Sequence, residues 1–167
     1  MSRPARVTID LAAARHNLRR VRELAPASRI LAVVKADAYG HGIVRMAHAF
    51  DGADAFGVAC LEEAVRLRDA GIGQRTVLLE GPFDAAEIPE IIERGLTVVV
   101  HHAAQLDMLE QARPHNLDVW LKVDSGMHRL GFAPVEVPAA LARIDALKGI
   151  GDVVLMTHFA NTDQRGH

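Results

Sequence analysis

The sequence has few cysteines, few aromatic residues and no excess of either charge. Its single cysteine, Cys60, excludes an internal disulfide and any metal site built on two thiolates of this chain. Aromatic residues are 4% of the 167 residues and the formal net charge is -2, which argues against nucleic-acid binding by base stacking or by phosphate contacts. No apolar run approaches the roughly 20 residues that span a membrane. These absences indicate a cytoplasmic protein with a small-molecule ligand and neither nucleic acid nor membrane as a partner.

Short apolar runs rich in Val, Ile and Leu alternate with segments of helical periodicity along the chain. Continuous apolar runs are typical of strands buried on both faces of a parallel sheet, and strand and helix in alternation form βα units. The predicted barrel strands are 30–34, 55–59, 76–79, 97–100, 119–123 and 153–157. The predicted helices are 16–24, 42–50, 61–70, 85–94, 103–112 and 135–147, and a half-exposed strand is expected at 7–11 with Asp10 as a helix N-cap. In the helix 61–70, the charged side chains Glu62, Glu63, Arg66 and Arg68 are expected to face away from the apolar stripe.

Two architectures are built from βα units, the open doubly wound sheet and the closed eight-stranded barrel. The nucleotide-binding form of the first carries Gly-x-Gly-x-x-Gly after its first strand, whereas this sequence has Ala-Asp-Ala-Tyr-Gly-His-Gly at 36–42. The sequence therefore predicts an α/β fold, a parallel (β/α) barrel of TIM type. About six of the eight strands of such a barrel are visible, so residues 1–167 are interpreted as one domain holding an incomplete barrel.

The strongest chemical motif is the segment 35–42, Lys-Ala-Asp-Ala-Tyr-Gly-His-Gly, at the end of the first barrel strand. Barrel enzymes collect their reactive groups at the carboxyl ends of the strands, and Lys35 is expected there. Partial burial favours the neutral form of an amine, which is the form that attacks a carbonyl carbon. A structural lysine whose stem packs while its ammonium group reaches water suits the same position. The residues alone leave both interpretations open.

Two other strand ends carry polar side chains. Lys122 lies near the end of the fifth barrel strand, Arg129 follows seven residues later, and His158 follows the sixth strand. Taken singly, the two cations are typical of surface charges and the histidine of a structural residue. The nine histidines do not fall at ligand spacing with carboxylates, so no metal site is expected.

Together these three segments resemble the alanine racemases, a family of fold-type III enzymes that use pyridoxal 5'-phosphate (PLP). The similarity runs from residue 7 to residue 163. It implies that Lys35 holds PLP covalently and acts as a catalytic proton-transfer base, with Tyr39 at the cofactor phosphate. It also implies that Arg129 lies at the phenolic oxygen of PLP, oriented by Lys122, which is often carbamylated in the family, and that His158 lies beside the ring.

The resemblance further implies interconversion of L-alanine and D-alanine for peptidoglycan precursors, carried out by a homodimer of two-domain chains. The 167 residues correspond to the N-terminal barrel portion, so the C-terminal β domain and the second catalytic base are expected outside them. Because racemisation needs that second base, we expect this chain alone to be weakly active or inactive. In the family, glycine is common where His128 stands. A broad-specificity amino-acid racemase and a non-catalytic PLP-binding barrel remain as alternatives.

Overall fold

The computed structural model describes residues 4–166, in which six strands form one fully parallel sheet. Each strand pairs with its neighbour in the sequence, in the order β1-β2-β3-β4-β5-β6. This is the strand order of a barrel, because the order in a doubly wound sheet reverses at a switch point. The predicted α/β barrel fold is therefore confirmed. The strands are β1 (Leu31–Val33), β2 (Ala55–Val58), β3 (Arg75–Leu78), β4 (Thr97–Val100), β5 (Leu117–Val123) and β6 (Ile150–Thr157).

Helices follow each of the first five strands and one more precedes β1, as the periodicity predicts. One predicted helix has the observed bounds, Ala103–Ala112, and the others differ by a few residues at their ends. In the segment 85–94 the first turn, Ala85–Glu87, is a 3-10 helix, and the regular helix begins at Ile88. Pro89 lies in the first turn of this regular helix, where its missing N–H is tolerated. The helices are Leu11–Leu24, Ile43–Ala49, Leu61–Asp69, Ile88–Glu93, Ala103–Ala112 and Val137–Asp145.

The N-terminal segment differs from its prediction. Residues 7–10 form no strand, and the first helix begins at Leu11. Asp10 caps this helix as expected, since its carboxylate accepts bonds from the backbone N–H groups of Ala12 and Ala13 at 2.8 and 3.1 Å. The cap favours the longer helix because it satisfies two of the amides that a helix N-terminus otherwise leaves unpaired.

The hydrophobic core lies between the outer face of the sheet and the helices. Phe56, Val98 and Leu121 are at most 1% exposed, and Leu67 and Leu109 cover this face from two of the helices. Full burial of such a side chain contributes about 1.5–3 kcal/mol. Neighbouring residues along each strand point to the opposite face, into the interior of the barrel. The core thereby fixes which strand residues face the interior.

The sheet curls so that its first and last strands border the same space. Leu31 of β1, Arg75 of β3 and Val154 of β6 all line one cavity of about 570 Å³. Within residues 4–166, β1 and β6 pair on one side only, and Val33 and Leu155 on these strands are 40% and 57% exposed. The described chain is thus a curved, six-stranded part of a barrel.

Candidate active site

The carboxyl ends of the parallel strands form one end of the barrel, here called the mouth. Lys35 follows β1, Lys122 is the penultimate residue of β5, and His158 directly follows β6. Arg129 lies in the loop after β5, and Tyr39 lies four residues beyond Lys35. The structure therefore brings all five of the predicted site residues to the same end of the barrel.

Three of these residues form a cluster of positive charge at the mouth. Lys122 is only 8% exposed. Burial lowers the pKa of its ammonium group, and the positive charges of Arg129 and Lys35 lower this pKa further. Asp124 and Glu80 act in the opposite direction on the pKa of Lys122. Because charges act on a neighbour's pKa only when they are close to it, Lys35 and Arg129 both lie near the buried amine.

Among the described residues, the cationic cluster of Lys35, Lys122 and Arg129 has no direct ion pair, although the charges of Asp124 and Glu80 reach Lys122. Within residues 4–166, none of the ten ion pairs involves any of the three side chains. His101 at the end of β4 is partly buried nearby, and burial followed by the charge of Lys122 lowers the pKa of its imidazole. A mouth whose cations form no ion pairs with the described chain suits an anionic ligand.

Lys35 opens a turn of unusual handedness, the segment Lys35–Tyr39, here called the left-handed turn. The φ angles of Ala36, Asp37, Ala38 and Tyr39 are 54°, 53°, 54° and 54°. A non-glycine residue in this conformation costs roughly 1–2 kcal/mol, so four in succession need support from outside the turn. The two glycines of the motif, Gly40 and Gly42, also have positive φ angles of 82° and 89°, which glycine adopts freely. The structure places the strain on the residues before them.

Side chains from a neighbouring helix provide this support. Asp37 accepts bonds from the backbone N–H of Ile43 at 3.0 Å and from the guanidinium of Arg66 at 2.8 Å. The same two bonds, the backbone one first, lower the pKa of the Asp37 carboxyl. Glu63 accepts from the backbone N–H groups of Asp37 and Ala59 at 3.3 and 2.9 Å. Glu63 and Arg66 face away from the apolar stripe as expected, and both also bond to the loops beside the helix.

The loop after β5 closes on itself and holds Arg129 beside Lys122. The backbone N–H of Phe132 donates to the carbonyl of Lys122 at 2.9 Å, and that of Asp124 donates to the carbonyl of Phe132 at 2.9 Å. His128, where the family resemblance implies glycine, has a φ of 54°. Asp124 stabilises this conformation by accepting from the backbone N–H of His128 at 2.9 Å and by contacting its ring nitrogen Nδ1 at 3.1 Å. The loop thus keeps a glycine-like backbone without glycine.

Tyr39 and His158 complete the mouth from its rim. Tyr39 is 63% exposed, and His158 is also exposed. Neither side chain has a hydrogen-bond partner among residues 4–166, so the phenol and the imidazole are both available to a ligand. The mouth therefore combines an amine, a guanidinium, a phenol and an imidazole that the rest of the described chain does not engage.

A family model for the alanine racemase N-terminal domain matches residues 9–167. The chain belongs to the alanine racemase family. An alanine racemase of Azoarcus sp. (strain BH72) is 55% identical over 166 residues, which are 97% of this chain and 46% of that protein. The biosynthetic alanine racemase of Pseudomonas aeruginosa superposes with a TM-score of 0.91 at 43% identity, over 95% of this chain and 45% of its own.

One solved structure with a similar fold is named as a racemase of a different amino acid. The histidine racemase of Leuconostoc mesenteroides subsp. sake superposes with a TM-score of 0.82 at 33% identity, over 94% of this chain and 44% of its own. The chain spans about half the length of the curated relatives that it matches. No helix in residues 4–166 has the length and apolar character needed to cross a membrane.

Proposed function

We propose that this chain is the PLP-binding barrel of an alanine racemase, an isomerase that interconverts L-alanine and D-alanine. The observation that supports this most directly is the grouping of Lys35, Lys122 and Arg129 at the mouth with no ion pair to any of the three within residues 4–166. PLP offers a carbonyl for an amine, together with a phosphate and a phenolic oxygen for cationic or hydrogen-bonding groups. The side chains at the mouth match these groups in chemical type.

Each predicted site residue then has a role. Lys35 would hold PLP through its ε-amino group, and Tyr39 would donate its hydroxyl hydrogen to the phosphate. Arg129 would donate from its guanidinium to the phenolic oxygen, a contact that suits a planar and permanently charged group. His158 would lie beside the ring. These assignments follow the family resemblance and agree with the placement of all four residues at one end of the barrel.

Lys122 would orient Arg129 from the interior of the barrel. The lowered pKa of Lys122 favours the neutral amine, which is the form that reacts with carbon dioxide. The ammonium group first loses one proton to solvent; the neutral amine nitrogen then forms a bond to the carbon of CO2 and releases a second proton, so a cation becomes an anion. A carbamylated Lys122 would give the guanidinium of Arg129 the counterion that it lacks.

The chemistry requires a proton to leave and return at the α-carbon of alanine. Bound PLP supplies an electron sink that stabilises negative charge at that carbon. Lys35 Nζ would accept and return the proton on one face. Racemisation needs a base on the opposite face as well. The residues assigned here include one such base, so we expect the 167-residue chain alone to be weakly active or inactive.

The organisation of the whole protein is part of the proposal. Residues 1–167 would form a single domain, joined in the complete enzyme by a C-terminal β domain and assembled as a homodimer. Its product would be D-alanine for peptidoglycan precursors. The cytoplasmic location stays a prediction that rests on the use of a single cysteine.

Racemisation of another amino acid is the second candidate function. The similarity to a protein named histidine racemase supports it, because two substrates are then associated with closely similar barrels. Exchange of the α-hydrogen with deuterium from the solvent, followed by NMR for alanine and for histidine in parallel, separates the two candidates. We expect exchange with alanine to be the faster of the two.

The attachment of PLP to Lys35 provides the central test. The chain contains three lysines, Lys35, Lys122 and Lys148, so a label on lysine has few possible positions. The purified chain would be mixed with PLP, reduced with borohydride and digested for mass spectrometry. We expect the label on Lys35, together with an absorbance band that borohydride removes.

Two variants serve as controls for this test. Lys35→Ala should abolish the label and the absorbance band. Lys148→Ala, at an exposed position, should leave both unchanged. Equal labelling of Lys148 and Lys35, or a band that persists in Lys35→Ala, would contradict the proposed function. Attachment without any exchange of the α-hydrogen would favour the non-catalytic PLP-binding barrel.

A further inference from the structure

We propose that Glu63 is a positioning residue for Lys35, acting through the left-handed turn that Lys35 opens. Glu63 lies on the helix after β2 and belongs to a different βα unit from Lys35. This inference rests on the proposed function, because it concerns the same lysine. It assigns a role in cofactor attachment to a carboxylate that does not itself belong to the mouth.

The carboxylate of Glu63 joins two loops. Its Oε1 accepts from the backbone N–H of Asp37 in the left-handed turn at 3.3 Å. Its Oε2 accepts from the backbone N–H of Ala59, just after β2, at 2.9 Å. Both oxygens are therefore acceptors, and no neutral side chain of the same shape reproduces them, because the amide of glutamine offers one acceptor and one donor. Glu63 thus ties the turn after β1 to the end of β2.

The turn depends on such a tie because its own residues disfavour its conformation. Four successive residues without glycine are left-handed, and hydrogen bonds that join the turn to its surroundings offset that preference. Asp37 is the middle residue of the turn, and both its side chain and its backbone are hydrogen-bonded. Its carboxylate contacts Ile43 and Arg66, and its backbone N–H contacts Glu63.

The turn sets the relation between Lys35 and Tyr39, which are its first and last residues. A left-handed turn and a right-handed one direct the side chains at their two ends differently. If Glu63 releases the backbone of Asp37, the amine and the phenol should therefore lose their common orientation toward one ligand. Weaker attachment of PLP follows, even though Glu63 touches neither group.

The test compares Glu63→Gln with Glu62→Gln, an isosteric control at the exposed neighbouring position of the same helix. The first readout needs no cofactor: in Glu63→Gln the amide hydrogens of Asp37 and Ala59 should exchange with solvent about tenfold faster by NMR. The second is the dissociation constant for PLP, which should rise by about tenfold in Glu63→Gln. Both quantities should stay at the wild-type value in Glu62→Gln.

A rescue variant separates a role in positioning from a role in general stability. Glycine adopts the left-handed conformation without a steric penalty, and Ala36 is an exposed position of the turn. Adding Ala36→Gly to Glu63→Gln should therefore restore most of the affinity for PLP. A merely structural loss in the helix would not be repaired by a glycine in the turn. If Glu63→Gln has a much lower melting temperature, Glu63→Asp, with a shorter carboxylate, takes its place in every comparison.

The outcomes are distinct. Wild-type affinity together with unchanged exchange of the Asp37 amide in Glu63→Gln would overturn the inference, as would a failure of Ala36→Gly to restore binding. If the wild-type chain does not attach PLP at Lys35, the proposed function fails instead. The amide exchange of Asp37 and Ala59 still reports on Glu63 in that case, so the two failures are distinguishable.

Discussion

The positively charged side chains at the two ends of the barrel differ in whether they have protein partners. At the amino ends of the strands, Arg68 and Arg75 are surrounded by protein acceptors. At the carboxyl ends, the cations Lys35, Lys122 and Arg129 repel one another and have no ion-pair partner within residues 4–166. Both ends belong to the same sheet, so the difference lies in the partners and not in the scaffold. Paired cations stabilise the fold, whereas unpaired ones are available to an anionic ligand.

Arg68 shows how a cation at the amino ends of the strands is hydrogen-bonded by the protein. It lies on the helix after β2, and its guanidinium joins the loops that lead into β3 and β4. Although burial lowers the pKa of Arg68, every bond it makes is to a protein oxygen. The five acceptors are Thr76 Oγ1 and the carbonyls of Ile72, Gln74, Arg94 and Gly95, at 2.8 to 3.3 Å.

The largest effect is therefore expected for Arg68→Met. The variant keeps the apolar stem but leaves several partly buried carbonyls without donors, so the free energy of unfolding should fall by about 3 kcal/mol. Urea denaturation followed by circular dichroism measures this. Arg19→Met, at an exposed position, should change the value by less than about 0.5 kcal/mol. A loss for Arg68→Met no larger than that of the control would remove the distinction between the two ends.

A smaller loss is expected for Arg75→Met. Arg75 pairs with Asp118 at 2.9 Å and with Asp152 at 3.5 Å, and its side chain is 35% exposed. Loss of these partly exposed pairs should cost about 1.5 kcal/mol. A double-mutant cycle with Asp118→Asn should give a coupling energy of about 1 kcal/mol by urea denaturation. Additive losses would show that the pair does not stabilise the amino end.

The loop that carries Arg129 offers a test of backbone strain at the mouth. His128→Gly and His128→Ala both remove the contact between the imidazole and Asp124, but only glycine adopts a φ of 54° without strain. The glycine variant should therefore be more stable than the alanine variant by about 1 kcal/mol, as measured by thermal unfolding. Equal stability of the two variants would mean that the loop relaxes freely once the imidazole is absent.

The smallest effect, and one of opposite sign, is expected for Lys122→Met. Because the pKa of Lys122 is lowered in the folded chain, the unfolded chain binds the proton more tightly. The charged lysine therefore destabilises the fold at neutral pH, and this penalty disappears as the pH rises from the folded pKa toward the ordinary value of 10.5. Lys122→Met should raise the free energy of unfolding at pH 7, and the gain should shrink toward pH 10.5. A loss of stability at pH 7 would show that Lys122 is paired after all.

Much of the fold could be predicted from local patterns. The six apolar runs became the six strands, and the bounds of the helix Ala103–Ala112 were predicted to the residue. The predicted strand at 7–11 was wrong because an alternating pattern over so few residues does not outweigh a helix cap at Asp10. The three motifs at the ends of β1, β5 and β6 predicted that Lys35, Lys122 and His158 lie at the mouth, since parallel strands end at the same edge.

The support for the site could not be predicted in the same way. Glu63 and Arg66 lie on the polar stripe of an amphipathic helix, where sequence periodicity places every charged residue alike. A weak signal exists in retrospect, because a carboxylate at this place lies one turn beyond the carboxyl end of β2 and can reach the loops there. Residue type and spacing do not show which loop such a side chain contacts.

By itself, the sequence determined the succession of strands and helices, the barrel class and the family, because these depend on periodicity and on motifs contiguous in the chain. Only the tertiary structure decided the left-handed conformation of the turn after Lys35 and the lack of ion pairs, within residues 4–166, to the cations of the mouth. The physical reason is that both depend on hydrogen bonds and charges between distant segments. The backbone of Asp37 is held by Glu63 from another βα unit, and the pKa of Lys122 responds to Lys35 across the barrel.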